Sequence, residues 1–345
     1  MTHNTRGQAT QIIAAGGQIR FHLRQCIQLS ASPQDALTTA IRMSLLPVKT
    51  NREEWVAKAE ELHNRAETTK LPFVKASPLL NVRHEASLYT QASQAYEICG
   101  NSLSAAKCKK RAAYIFGRQL GSPDQAALLY HEAASALHTK VKSATSEVER
   151  LYDLALTEYC ETGRYHLAGK VEEQRASMRQ AKGNVDGAIK AYESASIYYR
   201  ADGRIDQANQ VDEIRAHLLG AMPSRYKEAA LIYVELGKSK SMGNPTKTDY
   251  CSKFFKAGLL MLASGCSQSV MKEKLIEMCS DSTATLQSFD QSPQFLFLHN
   301  IATCIETKNL DRFADHIYFY DNVDPPLDPW SLNLLEVVMK RIQTK

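Results

Sequence analysis

The strongest constraint on this chain is a beat of about twenty residues marked by glycine. Gly100, Gly121, Gly163, Gly183, Gly203, Gly220 and Gly237 carry it, and the polar run Thr139 to Ser146 fills the gap between Gly121 and Gly163. A glycine just past a helical pattern closes the helix in the left-handed region, where a Cβ would clash. Each beat therefore reads as one helix and one turn. Helix-starting residues follow the turns, as in Asn101-Ser102, Ser122-Pro123-Asp124, Asn184 and Arg204-Ile205-Asp206. Small and aromatic residues recur between them at helical spacing: Ala86, Tyr89, Ala92, Ser93 and Tyr96, or Ala188, Tyr192, Ala195 and Tyr199. Tyr89 to Tyr130 is 41 residues, Tyr152 to Tyr192 is 40 and Tyr192 to Tyr233 is 41, so alternate helices are related and the unit is a pair of about forty residues. Ala92, Ala126, Ala133, Ala195 and Ala229 let backbones approach closely, while the tyrosines fill the remaining space with their hydroxyls near water. The expected fold is all-α: a tetratricopeptide-like right-handed solenoid of antiparallel helix pairs over residues 51–257 and a C-terminal helical bundle over 258–345. In the bundle, Leu259 to Leu262, Leu275 to Met278 and Phe295 to His299 read as fully buried.

Among 345 residues, 44% hydrophobic and 23% charged, there is enough apolar matter for a sizeable core. No stretch approaches the roughly 18 apolar residues of a membrane-spanning helix; Ala257 to Ala263 is far too short. The eight cysteines form no C-x-x-C pair and read as reduced core residues of a cytoplasmic protein. Residues 1–50 carry Arg6, Arg20, Arg24, Arg42 and Lys49 against the single acid Asp35. They read as a disordered basic extension, as a targeting segment, or as sequence upstream of a true start at Met43.

No enzymatic constellation emerges. His131-Glu132 and His84-Glu85 begin like a zinc-protease helix, but Ser135 and Leu88 stand where the second His is required, so both pairs read as exposed helix residues. Gly237-Lys238-Ser239 ends like a P-loop, yet Ile232 replaces its first glycine. The expectation is no enzyme, no cofactor and no metal. Basic residues do recur: Lys107, Lys109, Lys110 and Arg111; Lys140 and Lys142; Lys238 and Lys240; Lys247, Lys253 and Lys256. If these clusters share one side of a solenoid they make a positive stripe for a negatively charged rod, either nucleic acid or an acidic helical bundle.

A resemblance then enters. Gly163-Arg164-Tyr165 with Ala168 and Lys170, Ala188-Ile189 with Tyr192-Glu193 and Ala195, Tyr198-Tyr199-Arg200 and Ala208-Asn209 follow one another in a telling order. Lys227 to Gly237, Phe254-Phe255-Lys256-Ala257 with Leu259, Leu327-Asp328-Pro329-Trp330 with Leu334-Leu335, and Met339-Lys340-Arg341-Ile342 continue it. In order and spacing, from Glu54 to Ile342, this resembles the α type of the soluble NSF attachment protein (SNAP) family. The resemblance implies a non-enzymatic cytoplasmic adaptor, peripherally associated with membranes. Several copies would wrap a SNARE four-helix complex and recruit the hexameric AAA+ ATPase NSF to disassemble it, with no nucleic acid as partner. By the same resemblance, Lys170, Arg215 and Lys256 fall on SNARE-binding basic positions, Arg215 only with one residue inserted nearby. Leu71, Phe73 and Val74, in the segment Thr68 to Asn81, occupy the place of a membrane loop. Pro72 and Pro78 oppose a helix there, leaving insertion into lipid or folding back on the solenoid. Glu306 matches an ATPase-recruiting acid, while Thr303 and Thr307 stand where further acids would be. The family's acidic tail, whose penultimate Leu activates the ATPase, has no counterpart in a sequence that stops at Gln343-Thr344-Lys345, so the resemblance implies recruitment and leaves stimulation open. The competing reading is another helical-repeat scaffold that takes an acidic peptide or RNA on the same basic stripe.

Overall fold

Five of the seven turn glycines take the left-handed conformation their position demands: Gly100, Gly121, Gly163, Gly183 and Gly203 all have φ between 60° and 80°. At all five turns the next amide returns to the end of the helix: Asn101 to the Tyr96 carbonyl at 2.8 Å, Ser122 to Phe116 at 2.8 Å, Arg164 to Tyr159 at 2.9 Å, Asn184 to Arg179 at 2.9 Å and Arg204 to Tyr199 at 2.8 Å. Those bonds satisfy carbonyls that a helix end leaves orphaned. Gly220 and Gly237 correct the expectation. Gly220 is right-handed at φ −69°, and Gly237 lies inside a helix. A Cβ on Gly220 would stand 2.5 Å from the Trp330 ring, and one on Gly237 would stand 2.4 Å from the Phe254 ring. These two glycines are small because an aromatic ring packs on their backbone.

The computed structural model describes residues 52–69, 78–140, 145–239, 247–267, 269–271, 273–274, 277, 289–322 and 326–344. No strand occurs among them. The chain falls into two units, residues 1–108 and 109–345. In the first, α1 (Arg52–Thr69) packs on α2 (Pro78–Ile98), and α3 (Ser102–Arg118) begins. Ala59, Leu62 and Ala66 are the buried face of α1. Arg52 Nε donates to the Cys99 carbonyl at 3.0 Å, and the Tyr89 hydroxyl donates to Glu67. Cys108 Sγ lies 3.6 Å from His63 Nδ1, but burial and then the charge of Glu67 push its thiol up to about 11. A thiol held protonated at neutral pH is packing, not a nucleophile.

The second unit continues with α4 (Pro123–Lys140), α5 (Thr145–Glu161), α6 (Tyr165–Ala181), α7 (Val185–Ala201), α8 (Ile205–Leu219), α9 (Tyr226–Lys238) and α10 (Lys247–Ala263). From α4 to α10 each helix packs on the next, which is the solenoid rule of nearest-neighbour contact. After α10 the rule changes. α11 (Pro293–Thr307) and α13 (Pro329–Thr344) both return to α10, and α12 (Leu310–Asp321) lies against both of them. Residues 257 and 258, where the sequence pattern changes character, sit inside the continuous α10.

The repeat alanines at 92, 126, 133, 195 and 229 are all fully buried. The repeat tyrosines are buried too, and at two of them the structure corrects a second expectation. The side chains of Tyr152 and Tyr233 are wholly buried, and the Tyr233 hydroxyl has no hydrogen-bond partner among the described residues. A third correction concerns the exposed His-Glu pairs. His131 is buried against Tyr152 and Tyr159 with its Nε2 2.8 Å from Gln174 Oε1, and Glu85 is buried too. Arg175 of α6 is buried as well, held by Glu149 at 2.8 Å, Glu172 at 3.0 Å and Asp153. Charges survive inside a protein only when paired in this way.

Candidate protein-docking surface

Each candidate cation sits on a helix of the second unit, and they differ sharply in freedom. Lys170 projects from α6 into solvent. Arg215, on α8, has only 15% of its side chain exposed and is shared among Glu193 of α7 at 2.7 Å, Asp212 at 3.7 Å and Glu228 of α9 at 3.7 Å. Lys256, on α10, lies 3.7 Å from Glu213 of α8 and rests over the rings of Tyr233 and Trp330, 5.6 and 5.8 Å from their centroids. Ring faces attract cations, so this lysine is held by both kinds of partner. The structure thus brings Arg215 and Lys256 together through the adjacent acids Asp212 and Glu213, and leaves Lys170 apart.

Around those acids the charges interlock. Arg200 Nη2 and Ser196 Oγ donate to Asp212 Oδ2 at 2.8 and 2.6 Å, and Lys253 pairs with Glu213. A groove of about 490 Å³ runs beside them, lined by Arg200, Asp212, Arg215, Leu231, Glu235 and Lys238. Leu231 is 62% exposed at its lip. Trp330 of α13 stacks on His217 with centroids 5.3 Å apart. Burial and then the nearby Lys256 charge lower the His217 pKa, so the imidazole is neutral at physiological pH.

Positive charge is therefore interleaved with acids instead of forming a bare stripe. Lys109 is tied to Glu132 at 2.6 Å, Lys110 to Glu147 and Lys238 to Glu277 at 3.3 Å. The part-exposed Lys110 and Lys238 pairs order the surface more than they stabilise it, since exposed pairs are worth about 0–1 kcal/mol, whereas Lys109 is buried and depends on its partner. Sequence reasoning gave no site role to Asp212, Glu213, Glu193, Glu228, His217 or Trp330, although Glu193 and Trp330 stand in the motifs quoted above. Only Asp212 with Arg215, three residues apart on one helix, left a local signal; the other partners come from different helices. Glu306 is exposed near the end of α11, and Thr303 and Thr307 each donate a hydroxyl to the carbonyl one turn earlier, at 3.0 and 2.9 Å. Leu71, Phe73 and Val74 lie outside the described residues, as do Lys142, Lys240 and residues 1–50.

No group of three or more His, Cys, Asp or Glu placed to hold a metal occurs among the described residues, and no helix there is long and apolar enough to cross a membrane. What the geometry defines is a helical-repeat scaffold with a charge-patterned surface. The chain belongs to the soluble NSF attachment protein family, whose model matches residues 50–343. It is similar to the probable vesicular-fusion protein sec17 homolog of Neurospora crassa, at 25% identity over 73% of this chain and 84% of that protein. It is also similar to the alpha-soluble NSF attachment protein of Vitis vinifera, at 24% identity over 75% of this chain and 88% of that one. Among solved structures, BtubC from P. vanneervenii covers 69% of this chain and 98% of its own at 14% identity and a TM-score of 0.35, a likeness too loose to bear on fold or function.

Proposed function

We propose that this chain is a non-enzymatic adaptor of vesicle fusion that binds assembled SNARE four-helix complexes and recruits an NSF-type AAA+ ATPase for their disassembly. The observation that carries the reading is the family match, which runs from residue 50 to residue 343. The surface chemistry supports it. A parallel bundle of acidic helices can be recognised by charge and shape without reading its sequence, and ion pairs that pre-order Arg215 and Lys256 reduce the entropy lost when a partner arrives. Lys170 supplies an exposed cation on the same unit. In this reading residues 51–257 carry the SNARE-binding solenoid and residues 258–345 the ATPase-recruiting bundle with Glu306. Leu71, Phe73 and Val74 give peripheral membrane contact to a cytoplasmic protein.

The test is capture of a purified, assembled SNARE complex on the immobilised protein, beside a structured RNA of equal charge. Binding of the SNARE complex alone, fading as salt rises from about 50 to about 300 mM, is the expected result. Equal capture of the RNA would instead select a general polyanion scaffold.

A further inference from the structure

Helix α12 turns an unusual face outward. Its inner face is ordinary: Phe313 and Tyr320 are buried, and the Tyr320 ring packs on Phe297 and Phe255 with centroids 4.4 and 5.4 Å apart. Its outer face carries Tyr318 at 69% and Phe319 at 68% exposure, the two most exposed large apolar side chains among the described residues. Their rings meet edge to face, with centroids 5.9 Å apart and planes at 70°. Helical spacing sets Leu310, Ala314 and Tyr318 in one outward row and Asp311, Asp315 and Phe319 in the next. All six are exposed.

An exposed aromatic pair with a charged margin has the anatomy of a binding anchor: apolar centre, polar rim, large area at low side-chain entropy. The rim says what kind of partner fits. Exposed Glu306, Asp311, Asp315 and Asp321 outnumber Lys308 and Arg312 on α11, α12 and the turn between them, in a chain whose formal net charge is +5. Anionic lipid would repel such a rim. A protein cleft with apolar walls and basic edges would not.

We propose that Tyr318 and Phe319 form an apolar anchor that seats in a basic-edged cleft of the recruited ATPase; this rests on the function proposed above. The anchor gives the contact a component that salt does not screen, because burial of apolar area, unlike attraction between exposed charges, does not weaken with a shortening Debye length. Recruitment should therefore persist at about 300 mM salt.

The experiment measures ATPase recruitment to the surface-immobilised adaptor at low and high salt for the unaltered protein and for Tyr318→Ser/Phe319→Ser, together with SNARE-complex binding at low salt and thermal unfolding. The expected result is recruitment weakened about tenfold or more in the variant, with the salt-resistant component gone. SNARE-complex binding and melting should be unchanged, since neither ring is buried. Undiminished recruitment by the variant overturns the anchor while leaving the adaptor reading intact. Loss of SNARE binding with recruitment retained assigns the patch to the other partner and also overturns it. A lowered melting temperature with every interaction lost would make the rings structural. If the unaltered protein binds SNARE complexes and never recruits the ATPase, the proposed function fails in that part, and the anchor with it.

Discussion

Glycine does two jobs in this chain, and they call for different tests. Gly203, at φ 73° with nothing within 4 Å of a built Cβ, is needed for its backbone conformation. Gly237 is needed for its size, because Phe254 occupies the place a methyl would take. Gly203→Ala should cost about 1–2 kcal/mol through left-handed strain. Gly237→Ala should cost about 1–3 kcal/mol through overpacking, and trimming the ring in Gly237→Ala/Phe254→Leu should recover part of that loss while Gly203→Ala gains nothing from it. Urea unfolding midpoints of the unaltered protein, of the two glycine variants, of Phe254→Leu and of each glycine variant combined with Phe254→Leu decide the matter. Among the candidate cations, Lys170 gives the cleanest test of binding. Lys170→Glu alters an exposed charge and should weaken SNARE-complex binding at low salt without moving the melting temperature. Equal affinity at about 50 mM salt would remove Lys170 from the interface. Lys256→Glu would also disturb the Tyr233 and Trp330 rings, so its effect on binding must be read against its melting curve.

At the scale of elements, two imidazoles tie helices together, His131 from a buried position and His217 from an exposed one. His131 of α4 reaches Gln174 of α6, and His217 of α8 stacks on Trp330 of α13. Desolvation lowers the pKa of both. The unfolded chain therefore takes up these protons first. Their contribution to stability is complete above the ordinary histidine value near 6.5 and is lost as pH falls through the lower folded values. The melting temperature should drop between about pH 7 and about pH 5, and His131→Gln/His217→Gln should flatten that drop. An unaltered pH profile in the double variant would show that carboxylates elsewhere govern acid sensitivity. The change of packing after α10 belongs to this scale too. From α4 to α10 the helices follow the chain order, whereas α10 itself collects α9, α11 and α13, which explains its run of buried residues from Ala257 to Ala263.

For the whole protein, function as proposed requires weak contacts to act together. The segment with Leu71, Phe73 and Val74 offers three apolar side chains, enough for reversible adsorption and too little for stable insertion alone. If it contacts lipid, Phe73→Ser should reduce liposome binding and SNARE disassembly on membranes, with soluble SNARE complexes disassembled at a near-normal rate. The deficit should be largest where several copies share one SNARE complex, since linked copies convert weak contacts into avidity. If Phe73 packs on the protein instead, the same change removes about 2–4 kcal/mol of aromatic contact and lowers the melting temperature with no lipid present.

Much of the fold was legible in the residues because its rules are local. A left-handed glycine, an N-cap such as Asn184 accepting from the Gly187 amide at 3.0 Å, and alanines and tyrosines at helical spacing each act within one turn. They determined that the chain would be helical, where most helices end and what most of the buried residues are, although in the run from Phe295 to His299, read as fully buried, Leu296 is 59% exposed. Gly220, Gly237, His131 and the Tyr233 hydroxyl escaped that reading because their surroundings come from other helices, beyond the reach of a local pattern. The site divides the same way. Lys170, Arg215 and Lys256 could be named from order and spacing, but only the tertiary structure decided that one stands in solvent while the other two are held on Asp212 and Glu213. Charge is written in the sequence; which charges meet depends on a through-space distance of a few ångströms, and packing alone sets that distance.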